Sequence, residues 1–140
     1  MKDDFSGLFT HETDVMTLKP GETLFEKGEV GRFMYVVKSG DIQIVDGNHV
    51  YETVSAGGIV GEMALVTSGP RSATVRAVTP SIVIPIDQHR FLFLVQETPN
   101  FALRMMHVMC SRLLAMNATR AVLGELPPAS EQPSRLLRYE

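Results

Sequence analysis

A single cysteine, Cys110, stands among 140 residues. No intramolecular disulfide can therefore staple the fold, and no resolving thiol is present for redox sensing. Set in an apolar helical stretch, Cys110 reads as a small buried hydrophobe. Positive charge is not in excess either. Thirteen Lys and Arg against 16 Asp and Glu leave a net charge of −3, which provides no global basic field for nucleic acid. Long apolar runs are missing. The start, Met1-Lys2-Asp3-Asp4-Phe5, lacks an apolar signal core, and no stretch reaches the roughly 18 apolar residues of a membrane span. The expectation is a cytoplasmic protein with no membrane partner. His11, His49, His89 and His107 are scattered without metal-ligand spacing, so no metal site is expected. No Ser/His/Asp or Cys/His set can be argued, and no enzyme is expected. There is no internal repeat.

What is present is an ordinary apolar content of 44% with 21% charged residues, enough for one domain with its own core. A short entry segment, 1–12, with helical character around 5–9, precedes the main body at 13–123. Brief runs then alternate with turn residues. Stretches 15–18, 23–25, 33–37, 42–45, 50–54, 74–78 and 82–86 read as strands. Asp46-Gly47 marks a hairpin between two of them. Many short strands at regular spacing indicate an antiparallel sandwich or barrel. At Asp87 the pattern changes. Asp87 is placed to N-cap a short helix reaching Gln96. Thr98-Pro99 opens a longer helix, with proline at the first helical position. Leu103, Met106, Cys110 and Leu113, widened by Met109 and Leu114, form an apolar stripe on it. Met105, Met106, Met109 and Met116 read as core or as a helix–helix seam. Gly124 is a stop signal. The stretch 124–140, with three prolines and mixed charge, is expected to be loosely ordered.

The chemistry concentrates in residues 61–74, Gly-Glu-Met-Ala-Leu-Val-Thr-Ser-Gly-Pro-Arg-Ser-Ala-Thr. A Gly-Glu pair opens a short apolar run, a Ser-Gly-Pro turn follows, and an arginine with small residues leads into a strand. A helical turn offers free backbone N–H groups to an anion. Arginine offers a planar fork to phosphate oxygens. A carboxylate accepts a hydrogen bond from a sugar hydroxyl. Together these are the parts of a buried site for a small phosphorylated sugar.

In order and spacing, Gly61-Glu62-Met63-Ala64-Leu65 followed by Pro70-Arg71-Ser72-Ala73-Thr74 closely resembles the phosphate-binding cassette of cyclic nucleotide-binding domains. These are the sensor modules of kinase regulatory subunits, nucleotide-gated channels and the catabolite activator protein. The resemblance covers roughly residues 10–120. It implies an antiparallel β-roll at about 14–86, a short phosphate-binding helix, and C-terminal helices at about 87–123 that act as a lid. It assigns Arg71 to the phosphate and Glu62 to the ribose 2′-hydroxyl. It places Gly61, Met63, Ala64, Ser72 and Ala73 around the sugar-phosphate, with the amides of Ala64 and Ser72 facing the anion. Gly28, Gly40 and Gly58 resemble the family's turn glycines. Val60 replaces the usual aromatic before Gly-Glu. In the family, threonine at the position of Ser72 favours cGMP and alanine goes with cAMP; the serine here occurs in cAMP-binding bacterial members. Arg112, or Met116 and Asn117, would cover the base.

The function implied is a non-catalytic cAMP sensor, with cGMP as the alternative ligand. Its C-terminal helix would move to signal to a protein effector, or form a homodimer seam. Fewer than 20 residues follow that helix, too few for a helix-turn-helix, so a stand-alone sensor or an excised regulatory domain is expected, without direct nucleic-acid binding. A β-roll interaction or dimerisation module that binds no nucleotide is the rival reading.

Overall fold

A computed structural model describes residues 4–9 and 11–122; the tail expected at 124–140 lies outside them. A 3-10 turn, Ser6–Phe9, leads into β1 (Met16–Leu18), β2 (Thr23–Phe25), β3 (Phe33–Ser39), β4 (Ile42–Asp46), β5 (His49–Val54) and β6 (Ile59–Val60). Then follow α1 (Glu62–Thr67), β7 (Thr74–Ala77), β8 (Ser81–Asp87), α2 (Gln88–Glu97) and α3 (Pro99–Val122). The strands form two antiparallel four-stranded sheets, in the orders β1-β8-β3-β6 and β2-β7-β4-β5. Apart from the β4–β5 hairpin, consecutive strands are divided between the sheets, and this interleaving makes the β-roll. The fold is mainly β with flanking helices, as the strand spacing predicts.

Strand β3 runs Met34-Tyr35-Val36-Val37 without a polar residue, and all four are buried. Successive side chains point to opposite faces, so this strand is covered on both. Met34 and Val36, with Ile59, Ile84 and Ile86 of the same sheet, pack into a cluster with Phe5, Phe91, Phe101 and Met105. Phe101 anchors it through edge-to-face contacts with Phe5 and Phe91, at centroid distances of 5.7 and 5.8 Å. The N-terminal segment is thereby part of the core. Phe5 N–H also donates to the Gly57 carbonyl at 2.7 Å.

The Asp46-Gly47 hairpin and the two helix starts stand where the sequence places them. Asp87 accepts from the Arg90 N–H at 2.8 Å, and α3 begins at Pro99. Three features differ. Strand β6 has two residues and is too short to carry a periodic signal; it exists because Val60 and Ile59 pair with Tyr35 and Val36. The core-facing residues at the start of α3 are Phe101, Met105 and Val108, whereas Leu103 and Met106 are 48% and 50% exposed. The two sets are offset by about two residues, or roughly 200° around the helix, so α3 carries apolar residues on two faces. Cys110, expected to be buried, is exposed for the same reason.

The chain divides into two compact units, one ending at Met109 and one beginning at Cys110. The first holds both sheets, α1, α2 and the first part of α3. The described part of the second is the C-terminal stretch of α3. Among the described residues, no helix is long and apolar enough to cross a membrane.

Candidate functional site

Strand β6 ends at Val60, and the chain must turn at once into α1. Gly61 makes that turn in the left-handed region, with φ 81° and ψ 6°, as the N-cap of α1. Such a backbone favours glycine. A second constraint acts there. A Cβ on Gly61 would come within 2.7 Å of Arg71 Nη1 and 3.2 Å of the Phe33 carbonyl. The left-handed turn and the packed arginine thus each favour glycine at this position.

Glu62 opens α1 and is 2% exposed. A carboxylate in the first helical turn is favoured by the free N–H groups there. Ala64 and Leu65 are buried on the same helix. Thr67 closes it by donating from Oγ1 to the Met63 carbonyl at 2.9 Å. Ser68 then takes φ 59°, the left-handed C-cap position.

The returning limb is held to the turn between β2 and β3. Val30 bridges Pro70. Arg71 N–H donates to the Glu29 carbonyl at 2.8 Å, and Gly28 N–H donates to the Arg71 carbonyl at 2.9 Å. Lys27 N–H donates to Thr74 Oγ1 at 3.0 Å. The main chain of Arg71 is therefore fixed on both sides.

Its side chain turns inward and is 5% exposed. Nη1 donates to the Gly61 carbonyl at 3.0 Å and Nη2 to the Phe33 carbonyl at 2.8 Å. Cζ lies 3.9 Å from the centroid of the Phe25 ring. Nε is buried and has no partner. Burial pushes the guanidinium pKa down from its ordinary value, and electrostatic interaction with Tyr35, Glu29 and Glu62 pulls it back up. A buried cation with an orphaned donor is costly unless an anion completes it. Such an arrangement has the chemistry to accept an anionic oxygen.

The structure brings the cassette residues expected from the sequence together. Arg71 contacts Gly61 and feels the Glu62 charge. Ser72 is exposed and its Oγ lies 3.8 Å from Met63 Sδ. Ala73 is buried, and Ala64 closes against Gly31, where an added Cβ would lie 2.7 Å away. Arg112, Met116 and Asn117 belong to the second unit. Arg112 and Met116 are one helical turn apart on α3. Among the turn glycines, Gly28 and Gly40 have positive φ, whereas Gly58 is required by the Val54 side chain, 2.4 Å from a Cβ built there. Phe25, Gly31, Phe33 and Tyr35 are members of the site that motif reading missed. No signal in their own segments marks them, because the contacts arise from long-range pairing. Among the described residues, no group of three or more His, Cys, Asp or Glu could hold a metal.

Comparison with known proteins identifies the family. The pattern of the cyclic nucleotide-binding domain matches residues 15–98. A cAMP-dependent protein kinase regulatory subunit of Mucor circinelloides f. lusitanicus is 31% identical over 98 residues, covering 70% of this chain and 23% of that protein. A cyclic nucleotide-gated potassium channel of Rhizobium etli is 35% identical over 82 residues, covering 59% of this chain and 23% of that protein. The chain thus spans about a quarter of the length of these relatives. The catabolite activator protein of Thermus thermophilus superposes with a TM-score of 0.67 at 23% identity, over 79% of this chain and 54% of that one, which is a likeness of fold. With a matching pattern over more than half its length and the cassette in place, the chain belongs to the cyclic nucleotide-binding domain family.

Proposed function

We propose that this chain is a non-catalytic sensor whose ligand is cAMP, with cGMP as the alternative. The observation that carries the reading is the buried Arg71, whose Nε–H has no partner, beside the buried carboxylate Glu62. The phosphate of a cyclic nucleotide supplies the missing acceptor, and the ribose 2′-hydroxyl donates to Glu62. Gly61, Met63, Ala64, Ser72 and Ala73 line the sugar-phosphate. The preference for cAMP is supported by Ser72 and by the similarity to a cAMP-dependent regulatory subunit.

Signalling follows by population shift. Bound nucleotide favours the state in which the C-terminal part of α3 covers the base through Arg112, or through Met116 and Asn117. A cytoplasmic protein effector reads the new helix position. The ligand moves this equilibrium only by its differential affinity for the two states.

The decisive experiment is isothermal titration with cAMP and with cGMP, using Arg71→Ala as control. The expected result is saturable binding that weakens in the variant by about 2–5 kcal/mol, roughly thirtyfold or more. The ratio of the two affinities identifies the base. Failure of both nucleotides to bind folded wild-type protein would sink the sensor reading.

One observation favours a second reading, a dimerisation or interaction module. The outer side of α3 leaves Leu103 and Met106 half exposed, and their spacing continues in the sequence through Cys110, Leu113 and Asn117. A repeat of alternating threes and fours, with asparagine at one seam position, suits a two-stranded coil with a second copy. Such a homodimer is compatible with sensing. As the sole function, it predicts self-association with no nucleotide binding at all.

A further inference from the structure

We propose that Phe25 and Gly31 are positioning residues for the anion site: they hold the Arg71 guanidinium in one plane and leave Nε–H as the donor that meets the ligand. This inference rests on the reading of Arg71 as the phosphate partner. Neither residue belongs to the cassette at 61–74, and neither needs to touch a ligand.

The argument begins with what restrains an arginine. A guanidinium is planar, with five N–H donors in a fixed fork. In a buried site it is useful only when the unused donors point at the incoming group. Two carbonyls, of Gly61 and Phe33, take one donor each from Nη1 and Nη2. Two such bonds set the ends of the fork but allow the plane to rock about the line joining them. Phe25 removes that freedom from one face, with Cζ 3.9 Å from its ring centroid. The ring is itself held. It stacks on Tyr35 at 6.2 Å and 27°, and Tyr35 also contacts Phe33 at 6.3 Å. Register adds a further restraint, since Phe25 pairs with Val75 on β7, the strand the cassette leads into.

Gly31 lies against the guanidinium as well. A Cβ there would stand 2.8 Å from both Cζ and Nε of Arg71, and 2.7 Å from the Ala64 Cβ. Gly31 has no positive φ, so no backbone requirement explains the glycine. Space for the arginine does. Any side chain at 31 must displace Arg71, move α1 through Ala64, or both. The donor nearest that space is Nε, the buried nitrogen without a partner. The site therefore combines an aromatic floor, two carbonyl ties and a glycine window beside the orphaned N–H.

The test uses the full chain with Phe25→Leu, Phe25→Tyr and Gly31→Ala. Nucleotide affinity is read by titration, and the Arg71 Nε–H by its NMR shift and solvent-exchange rate. Loss of the stack in Phe25→Leu is expected to weaken cAMP binding by about threefold to thirtyfold and to accelerate Nε–H exchange. Phe25→Tyr keeps the ring and is expected to restore both readouts, which a general loss of packing would not predict. Gly31→Ala is expected to shift the Nε–H resonance and weaken binding while Phe25 is intact. If Phe25→Leu does not fold, the tyrosine and Gly31→Ala variants still decide through the same two readouts. Unchanged exchange and affinity in Phe25→Leu or Gly31→Ala overturns the proposal. Wild-type protein with a protected Nε–H that is sensitive to Phe25, yet without nucleotide binding, leaves the positioning role standing and removes the sensor reading instead.

Discussion

At the scale of single residues, Glu62 and Arg71 divide the work of one site. Both are buried and close enough for their charges to interact, yet the ligand partners proposed for them differ. Glu62→Gln should therefore weaken cAMP binding through the sugar alone. A hydrogen bond to a charged group is worth about 1.5–3 kcal/mol, so a loss of roughly tenfold or more is expected, shrinking to near nothing when 2′-deoxy-cAMP replaces cAMP. The four affinities form a double-mutant cycle, and a coupling energy of zero would remove Glu62 from the ribose. These two residues, with Ala64 and Ala73, were legible in the sequence because the cassette is contiguous and its order is distinctive. Phe25 and Gly31 were not. Their role depends on β2 pairing with β7 and on the Val30–Pro70 bridge, and nothing local in their own segment announces a contact with a residue 40 or more positions away.

At the scale of elements, the helices are tied to the N-terminal segment by a polar link as well as by the Phe5–Phe101 contact. Arg90 at the start of α2 donates to the Glu12 carboxylate, and its guanidinium lies 5.2 Å from the Phe9 ring centroid. The hydrogen bond from Arg90 is the main reason the Glu12 pKa is lowered from 4.5. A carboxylate with a lowered pKa in the folded state contributes stability at pH values above its unfolded pKa, and this is lost as pH falls through the folded pKa. Thermal melts should thus show Glu12→Gln less stable than wild type at neutral pH. The gap should close on acidification below 4.5. A gap constant with pH would mean that the pair adds nothing. Arg90 is partly exposed, so the effect is expected to be small. Legibility at this scale followed pattern length. Strands such as β3 and β4, and the starts of α2 and α3, carry strong local signals. The two residues of β6 carry none. On α3 the spacing of threes and fours fits two faces at once, and only packing against Met34, Ile84 and Ile86 selects the face with Phe101 and Met105.

At the scale of the whole molecule, a ligand that binds the folded chain and not the unfolded one stabilises the entire domain. At a free concentration of 100 Kd the gain is about 2.7 kcal/mol. Denaturant unfolding should show this gain with cAMP and less than about 1 kcal/mol of it with Arg71→Ala at the same concentration. A full shift retained by the variant would place binding elsewhere in the roll. Sedimentation of wild type against Leu103→Glu would show whether the exposed side of α3 joins two copies; a wild-type monomer removes the dimer seam. The β-roll could be expected from strand spacing and the motif, but the interleaved order of the two sheets depends on long-range pairings that no window of sequence contains. That interleaving bears on portability. The fourteen residues that look like a self-contained anion binder borrow their floor from Phe25, their clearance from Gly31 and an acceptor from the Phe33 carbonyl. A loop transplant of 61–74 onto a foreign barrel would carry the signature without the affinity. A transplant would have to begin at β2 to take Phe25, Gly31 and Phe33 with it.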